Sequence, residues 1–266
     1  MAGLSIITVN YNDVAGLRRT VESVLGQSDK DFEYVVIDGG SDDGSRELLE
    51  QTGGIDFWVS EKDAGIYEAM NKGIAKASGD YLLFINSGDR LFEVDTVRHV
   101  RPHLGSADIV YGNLKIEGAN DSWDGFMPDV IDLRQMMRDT LWHPVSFVRS
   151  DLFRRYGPYD TSYEICGDYD FFFNVIVDKH VSSRHIDQFI AVFDLTGLSS
   201  RPENGAKVDA EKRRSQRAWL AEEEIETFWA AERRRQMKTR IRGAVLRLPR
   251  RIVGTGRAVV GKLAAR

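Results

Sequence analysis

Short apolar runs alternate with segments of helical periodicity along the first 90 residues. The intervening segments place apolar residues three and four positions apart, which predicts amphipathic helices at 14–25, 46–51 and 64–77. Strands alternating with helices predict βαβ units and a parallel sheet, so we expect an α/β fold. The apolar runs, rich in β-branched and aromatic residues and typical of buried strands, are LSIITV (4–9), FEYVVI (32–37), FWVS (57–60) and YLLFI (81–85).

The second half of the chain is less regular. Apolar runs predict strands at 109–113 and 185–193, and helical spacing predicts helices at 133–137 and 168–177. No internal repeat precedes the C-terminal region. We therefore expect this half to add irregular elements to the sheet.

A polar stretch rich in Ser, Pro, Asn and Gly at 199–205 marks a candidate domain boundary. A charged segment that follows it predicts a helix over about 206–237. The predicted organisation is one domain over 1–205, divided into a regular half at 1–90 and an irregular half at 91–205, followed by a charged helix and basic tail over 206–266.

Composition places the chain among soluble globular proteins. Its hydrophobic content of 42% and charged content of 29% are ordinary for that class. No secretory leader and no apolar run of about 20 residues is visible. A single cysteine, Cys166, excludes an internal disulfide, which fits a reducing compartment. We expect a cytoplasmic protein.

Charge is unevenly distributed along the chain. Twelve Lys and Arg residues and no acidic residue fall in 233–266, so the remaining 232 residues carry a net charge of −17. The stretch from Arg240 to Ala265 mixes aliphatic with basic residues. This composition is typical of amphipathic segments that bind at the surface of membranes containing anionic lipid. A solvated tail is the alternative, and nucleic-acid binding is disfavoured because the acidic body repels phosphate. The tail predicts a peripheral position on the inner face of the cell membrane.

Polar side chains follow three of the predicted strands at the point where each strand ends. Ligands of α/β sheets bind at the carboxyl ends of the strands. Neither a Gly-x-Gly-x-x-Gly fingerprint nor a P-loop is present, so a nucleotide would be held by carboxylates and a metal. The candidate residues are Thr8 and Asn10, then Asp38, Ser41 and Asp42, and then Asn86, Ser87 and Asp89.

Five segments of the chain resemble glycosyltransferase family 2, the inverting transferases with a GT-A fold. In that fold a nucleotide-binding half, here 1–90, is followed by an acceptor-binding half, here 91–205. The resemblance implies a Rossmann-like nucleotide-binding half with a mixed central sheet. It also implies a UDP- or GDP-type nucleotide-sugar donor, a divalent cation (Mg²⁺ or Mn²⁺), and a saccharide or glycolipid acceptor. The segments are SIITVNYN (5–12), VVIDGGSDDGS (35–45), EKDAGIYEAMNKGIAKASGDYLLFINSGD (61–89), LWHPVSFVR (141–149) and GPYDTSYEICGDYDFF (157–172).

The resemblance assigns donor-binding roles residue by residue. Asp38 matches the acidic residue that receives the nucleobase, although a turn-capping Asp is the alternative. Asp63 could instead cap the following helix, and Lys72 could instead be solvated. The residues implied to bind the donor are Thr8, Asn10, Asp38, Ser41, Asp42, Asp63, Asn71, Lys72, Asn86 and Ser87.

The turn from Asn86 to Asp89 matches the family's metal-binding acidic motif and departs from it. Asn86 and Gly88 stand where the family has aspartates, which leaves Asp89 as the one carboxylate of the turn. Mg²⁺ keeps several waters in such sites, so a single carboxylate and the donor's phosphates can still hold it. The resemblance therefore implies a metal at Asp89.

The segment from Cys166 to Asp170 matches the family's catalytic region. Gly167 replaces the family's Glu, which leaves Asp168 in the position of the catalytic base. A helix N-cap is the alternative role for Asp168. The resemblance places His143 and Trp142 on the active-site floor with Asp170, although a structural His and a buried Trp are the ordinary readings.

Two other functions remain open. A nucleotidyltransferase would share the Rossmann-like half, but its Gly-rich basic N-terminal motif is absent. A catalytically silent binding module would explain the changes at Asn86, Gly88 and Gly167. The function that we expect is an inverting, metal-dependent glycosyltransferase that acts on a lipid-linked saccharide, glycolipid or polysaccharide.

Overall fold

The computed structural model describes residues 2–118, 121–195, 197 and 200–246. The chain divides into two compact units, Met1–Trp219 and Leu220–Arg266. The sequence analysis had placed this boundary near residue 205. Helix α8 (Gly205–Trp219) belongs to the first unit, because its Glu211 carboxylate accepts hydrogen bonds of 2.8–2.9 Å from three consecutive N–H groups of residues 164–166.

Within the described residues, nine strands form one mixed sheet. Its order is β3-β2-β1-β4-β8-β6-β9-β5, with β7 paired to β6. The strands are β1 (Leu4–Asn10), β2 (Glu33–Asp38), β3 (Phe57–Ser60), β4 (Tyr81–Phe84), β5 (Arg90–Leu91), β6 (Ile109–Glu117), β7 (Ser122–Gly125), β8 (Ser146–Arg149) and β9 (Ser183–Asp194).

The first four strands are parallel, as their alternation with helices predicted. Strand β1 pairs with β2 on one side and with β4 on the other, and β2 pairs with β3. The register sets Asn10 beside Asp38 and Asp38 beside Ser60. Three polar side chains therefore meet at the carboxyl edge of the sheet. Later strands add antiparallel pairs, β8 to β4 and β5 to β9, so the α/β fold is mixed as expected.

The helices predicted at 14–25, 46–51, 64–77 and 133–137 are confirmed to within two residues at each end, whereas the helices at Thr96–Val100 and Ser150–Tyr156 were not predicted. Helix α7 continues directly into a π-helical segment, Phe173–Asp178. The helices are α1 (Val14–Leu25), α2 (Ser45–Gln51), α3 (Ile66–Lys76), α4 (Thr96–Val100), α5 (Leu133–Arg138), α6 (Ser150–Tyr156), α7 (Gly167–Phe172), α8 and α9 (Glu222–Leu246).

The single charged helix predicted over about 206–237 is two helices, α8 and α9. The break follows Trp219, and a new helix begins at Glu222 with three consecutive glutamates in its first turn. The Glu224 carboxylate accepts a hydrogen bond of 2.9 Å from the N–H of Ala221. Acidic side chains stabilise the positive end of a helix dipole, so this local sequence starts a helix where periodicity alone predicted continuation.

Close approach of α3 to β1 determines one residue type in the core. A Cβ atom added to Gly73 would lie 2.6 Å from Cγ2 of Ile7, which is closer than real Cβ contacts. Both Ile7 and Met70 are buried there. The absence of a side chain at Gly73 thus lets α3 lie directly on the sheet.

The described helices include none that is both long and apolar enough to cross a membrane. The amphipathic stretch predicted from Arg240 to Ala265 lies largely outside the described residues, which give helical backbone as far as Leu246.

Candidate active site

Asp38, the last residue of β2, is the centre of a hydrogen-bond network at the strand ends. Its Oδ1 accepts from Asn10 Nδ2 at 2.7 Å and from Ser41 Oγ at 2.6 Å. Its Oδ2 accepts from Ser60 Oγ at 2.6 Å and from the N–H groups of Gly40 and Ser41. Burial raises the pKa of Asp38, but these donors outweigh it and leave the pKa below its usual value.

Both oxygens of the Asp38 carboxylate therefore accept hydrogen bonds from within the protein. Asp38 is 0% exposed and holds the loop that follows β2 in one conformation. The nucleobase-binding role implied for this side chain stays a prediction. What the structure shows is that Asp38 is bonded to the loop that follows it.

Asn10 links this loop to the turn after β4. Its Oδ1 accepts a hydrogen bond of 2.6 Å from Ser87 Oγ, while its Nδ2 reaches Asp38. Thr8 lies deeper, fully buried, and its hydroxyl donates to the Ile85 carbonyl at 2.7 Å. The structure thus brings together four of the predicted residues: Asn10, Asp38, Ser41 and Ser87. Thr8 lies inside the sheet and bonds to the backbone of Ile85.

An exposed aromatic ring and a carboxylate lie beside this loop. Tyr11 is 66% exposed, directly after β1. A Cβ atom added to Gly39 would lie 2.8 Å from Asp63 Oδ2 and 3.2 Å from Tyr11 Cδ2. Burial raises the pKa of Asp63, whose Oδ1 accepts from the Gly65 N–H. Tyr11 was not among the site residues predicted from the sequence, although its position in the NYN triplet directly after a strand was a usable signal.

Three other predicted donor-binding residues are placed differently. Asp42 has an exposed side chain, and its N–H donates to Asn12 Oδ1 at 3.0 Å. Asn71 forms two hydrogen bonds, of 2.8 and 2.9 Å, with the backbone of Tyr159, so it joins α3 to the segment before α7. Lys72 pairs with Glu61 at 2.9 Å on the outer side of α3. It also pairs with Glu68 at 3.4 Å, and its side chain is 25% exposed, so its role toward a phosphate stays a prediction.

The turn after β4 holds the predicted metal ligand, Asp89. This side chain is 6% exposed, and its Oδ1 accepts from the N–H of Asp194 at 3.0 Å. Burial raises the pKa of Asp89 to about 8, and the charge of Asp194 adds to this increase. A buried carboxylate with so little compensation is a position where a cation would be stabilising.

Two further carboxylates approach the same turn. A Cβ atom on Gly88 would lie 3.8 Å from Oδ2 of both Asp13 and Asp194. Asp194 also pairs with Arg19 at 3.2 Å, and Asp13 Oδ1 caps α1 through the Gly16 N–H. Asp194 of β9 and Asp13 at the start of α1 thus lie close to the turn in which Asn86 and Gly88 replace the aspartates of the family motif.

The residues of this turn fit a divalent cation by the chemistry of their donors. Carboxylate and amide oxygens are the ligands that Mg²⁺ and Mn²⁺ prefer. Asn86 Oδ1 is buried without a hydrogen-bond partner in the part of the chain that the structure describes. No group of three or more His, Cys, Asp or Glu residues is arranged as a metal site among those residues. A cation here would therefore need ligands from a bound donor or from water.

Asp168, the predicted base, lies in the first turn of α7 and is half-buried. Its Oδ1 lies 2.9 Å from the hydroxyl of Tyr67, a buried residue on α3. The same hydroxyl lies 2.5 Å from the carbonyl of Ile165. The N-cap position of α7 is occupied by Cys166, so Asp168 is a helix residue rather than its cap.

His143 lies between Asp168 and the end of β4. Its ring stacks on Phe84 with centroids 4.7 Å apart, and its Nε2 lies 2.9 Å from the Tyr159 hydroxyl. Burial lowers the pKa of His143, and the negative charge of Asp168 opposes that decrease. His143 is thus a buried residue packed between Phe84 and Tyr159.

Two residues predicted for the active-site floor bond elsewhere. Asp170 Oδ1 accepts from the Tyr163 hydroxyl at 3.0 Å and from Trp219 Nε1 at 3.2 Å, which ties α7 to α8. Trp142 donates through Nε1 to Asp139 and packs its ring over Gly125. The structure does not bring either side chain into the contacts made by Asp168.

Comparison with known proteins identifies the group to which these features belong. The family described as Glycosyl transferase family 2 matches residues 5–156. The chain belongs to that family. A relative named PGL/p-HBAD biosynthesis glycosyltransferase, from Mycobacterium bovis (strain BCG / Pasteur 1173P2), is 31% identical to this transferase over 205 residues, which cover 74% of this chain and 78% of the relative.

Solved structures share the fold at low sequence identity. The transferase superposes on S. aureus TarS 1–349 in complex with UDP-GlcNAc with a TM-score of 0.65 and 16% identity, over 94% of this chain and 77% of that one. The mannosyltransferase PcManGT from Pyrobaculum calidifontis, in complex with GDP-Man and Mn²⁺, gives a TM-score of 0.56 and 15% identity, over 80% and 61%. The fold of the transferase is therefore GT-A, as the sequence resemblance implied.

Proposed function

We propose that this transferase moves a sugar from a nucleotide-sugar donor to a hydroxyl group of an acceptor, with inversion at the anomeric carbon. The observation that carries the proposal is the junction of two sites at the end of β4. His143 stacks on Phe84, the last residue of that strand, and lies within reach of the charge of Asp168. Asn86 begins the Asp89 turn two residues later. A direct displacement needs a base and a phosphate-binding edge as neighbours in this way.

The nucleobase is proposed to lie on Tyr11, next to Gly39 and Asp63. The exposed ring offers a stacking face, and Asp63 offers a carboxylate that accepts from a uracil imide or a guanine N–H. Asp38 contributes indirectly, by holding the loop that contains Gly39. The complexes of TarS with UDP-GlcNAc and of PcManGT with GDP-Man support a donor of the UDP or GDP type.

The diphosphate is proposed to lie against the turn from Asn86 to Asp89. Asp89 would hold a divalent cation, with Asp194 and Asp13 beside it. When bound, such a cation supplies positive charge to the departing diphosphate. Mn²⁺ in the PcManGT complex supports this assignment.

Asp168 is proposed to be the general base. It takes the proton of the acceptor hydroxyl while that oxygen forms a bond to the anomeric carbon. The bond between the anomeric carbon and the diphosphate breaks at the same time, and the nucleoside diphosphate leaves with the electron pair. One displacement of this kind inverts the configuration.

The acceptor is proposed to be a saccharide or glycolipid of the cell envelope. The name of the M. bovis relative supports this class of product. Phe92, Phe126 and Phe189 form an aromatic cluster with centroid distances of 5.2 and 5.6 Å, and Phe126 is 64% exposed. Because Phe92 follows Asp89 by three residues, this cluster offers an apolar surface close to the turn.

The basic C-terminal segment is proposed to bring the transferase to an anionic membrane surface. The net charge of its last 34 residues is +12. Flotation with vesicles of phosphatidylglycerol and phosphatidylcholine tests this, using a chain truncated after Trp219, where the first compact unit ends. Equal recovery of the full and truncated chains would contradict the membrane role.

A donor screen followed by substitution of Asp168 tests the catalytic proposal. Calorimetry with UDP-glucose, UDP-GlcNAc, GDP-mannose and their free nucleotides, with and without Mn²⁺, identifies the nucleotide that binds. The nucleotide sugar that binds is then used as the substrate, and release of its nucleoside diphosphate is measured for wild type and Asp168→Asn. We expect a loss of about 100-fold or more in kcat with unchanged donor affinity. Binding without release by the wild type would favour a binding module, and equal rates would remove Asp168 as the base.

A further inference from the structure

The hydroxyl of Tyr67 is shared between two acceptors on the segment that carries Asp168. It lies 2.9 Å from Asp168 Oδ1 and 2.5 Å from the carbonyl oxygen of Ile165. A phenol has one proton, so it donates to one of these oxygens at a time. The contact joins α3 to α7 across 101 positions of sequence.

The proton of Tyr67 has a suitable acceptor in both protonation states of Asp168. While the carboxylate is ionised, it is the stronger acceptor, and a charge-assisted bond from Tyr67 stabilises it. Once Asp168 has gained a proton, its acceptor strength falls, and the Tyr67 hydroxyl can donate its hydrogen bond to the Ile165 carbonyl instead. Burial and the charge of Asp168 raise the pKa of Tyr67 well above its usual value, so the phenol stays protonated throughout.

The ring of Tyr67 is held in place by the residue next to Asp168. A Cβ atom on Gly167 would lie 2.9–3.0 Å from three atoms of that ring, so Tyr67 fills the space that a side chain would need. The ring is also 5.5 Å from that of Tyr159. Gly167 replaces the Glu of the family pattern, and the packing of Tyr67 gives a physical reason why a glycine fits there.

We propose that Tyr67 is the positioning residue of the base: its hydroxyl fixes the Asp168 carboxylate for the acceptor and turns to the Ile165 carbonyl when Asp168 takes the proton. The inference rests on the proposed role of Asp168. Tyr67 acts through Oδ1, so the second carboxylate oxygen is left to face the acceptor hydroxyl. The proton that leaves the acceptor resides on Asp168, and no other group changes its proton count.

Tyr67→Phe removes the hydroxyl and keeps the ring, and Tyr163→Phe is its matched control. The Tyr163 hydroxyl donates to Asp170 Oδ1 at 3.0 Å, in the same first turn of α7. The first readout is the carbon-13 resonance of the Asp168 carboxyl in Asp-labelled protein titrated with acid, assigned by its loss in Asp168→Asn. Losing a donor destabilises the carboxylate, so we expect the midpoint to rise by about half a pH unit or more in Tyr67→Phe and to stay fixed in Tyr163→Phe.

The second readout is hydrolysis of the sugar nucleotide that binds in the donor screen. We expect kcat to fall about 10-fold in Tyr67→Phe with KM within about twofold of wild type, and the acid limb of the kcat profile to move to higher pH. The titratable groups whose charges interact with Asp168 are Tyr67, Tyr159, Cys166 and His143, and the control leaves all of them in place.

An unchanged Asp168 midpoint with wild-type kcat in Tyr67→Phe would overturn the proposal, as would equal effects in both variants. If Tyr67→Phe does not fold, Gly167→Ala replaces it, because the added methyl displaces the ring and retains the hydroxyl. A wild-type Asp168 titration in that variant would then overturn the proposal. Full activity of Asp168→Asn would instead remove the base itself, which separates the two failures.

Discussion

Asp38 and Asp89 are two buried carboxylates at the same edge of the sheet, and their surroundings are opposite. Asp38 accepts five hydrogen bonds from side chains and N–H groups of neighbouring loops, and its pKa lies below its usual value. Asp89 accepts one backbone hydrogen bond in the described structure, and burial raises its pKa to about 8. The first carboxylate is stabilised by the protein, whereas the second has little compensation from the described residues. The two buried aspartates therefore differ in the number of donors around them, and the proposed cation would supply at Asp89 the compensation that hydrogen bonds supply at Asp38.

The largest effect is expected from Asp38→Ala. Removing the carboxylate leaves five donors without this acceptor, one of them the buried side chain of Asn10, so the free energy of unfolding should fall by about 3 kcal/mol or more. Urea unfolding monitored by circular dichroism measures this. Glu22→Ala, at an exposed position on α1, is the control and should change stability by less than about 0.5 kcal/mol. A loss as small as that of the control would show that the network does not hold the loop.

The next effect concerns acid. Because the folded pKa of Asp38 lies below its usual value of about 3.8, its contribution to stability is present above that pH and is lost as the pH falls through the folded pKa. Urea unfolding between about pH 2 and pH 5 should therefore show a steeper acid loss in wild type than in Asp38→Asn. Parallel curves for the two proteins would contradict the assignment.

Asp89→Asn is expected to affect ligand binding rather than folding. In wild type, Mn²⁺ together with UDP or GDP should raise Tm by several degrees at concentrations about 100 times Kd. The Asn variant removes the charge on which the cation depends, so this increase should disappear, while stability without Mn²⁺ should be retained. Glu22→Gln serves as a charge-matched control. A full Mn²⁺ response in Asp89→Asn would place the cation elsewhere.

Asp194→Asn is expected to have a smaller effect at the same turn. The substitution retains the backbone N–H that donates a hydrogen bond to Asp89, and it removes one carboxylate near Gly88. Affinity for Mn²⁺ in the presence of nucleotide should fall about 10-fold, as it does for residues that support a metal ligand. Calorimetry measures it, and unchanged affinity would restrict the cation to Asp89.

How far the sequence predicted this molecule depended on the range of the interactions. The first four strands, Asp38 at the end of β2 and a helix from about residue 168 follow from local periodicity and were predicted. Tyr67 was not singled out by any local pattern, because its bond to Asp168 spans 101 positions. Asp194 reaches the Asp89 turn through the long-range pairing of β9 with β5 and β6, which no local pattern indicates. The bond of Asn71 was not predicted for the same reason, since its partner is the distant backbone of Tyr159.

The smallest expected effect tests the bond between the two regions. Ser87 Oγ donates to Asn10 Oδ1, and Asn10 in turn donates to Asp38. Ser87→Ala should lower the free energy of unfolding by about 1 kcal/mol. The double variant with Asp38→Asn should lose less than the sum of the two single losses, because the residues share one network. Strict additivity in urea unfolding would show that the turn and the loop are independent.

The configuration of the sugar that the transferase releases tests the central claim most directly. Proton NMR during hydrolysis of an α-linked nucleotide sugar, recorded before the anomers equilibrate, shows which anomer forms first. A single displacement with Asp168 as the base gives the β anomer first, and Asp168→Asn should suppress its formation. Initial release of the α anomer would contradict the account, because retention requires a different reaction path in which Asp168 is not the base that activates the acceptor.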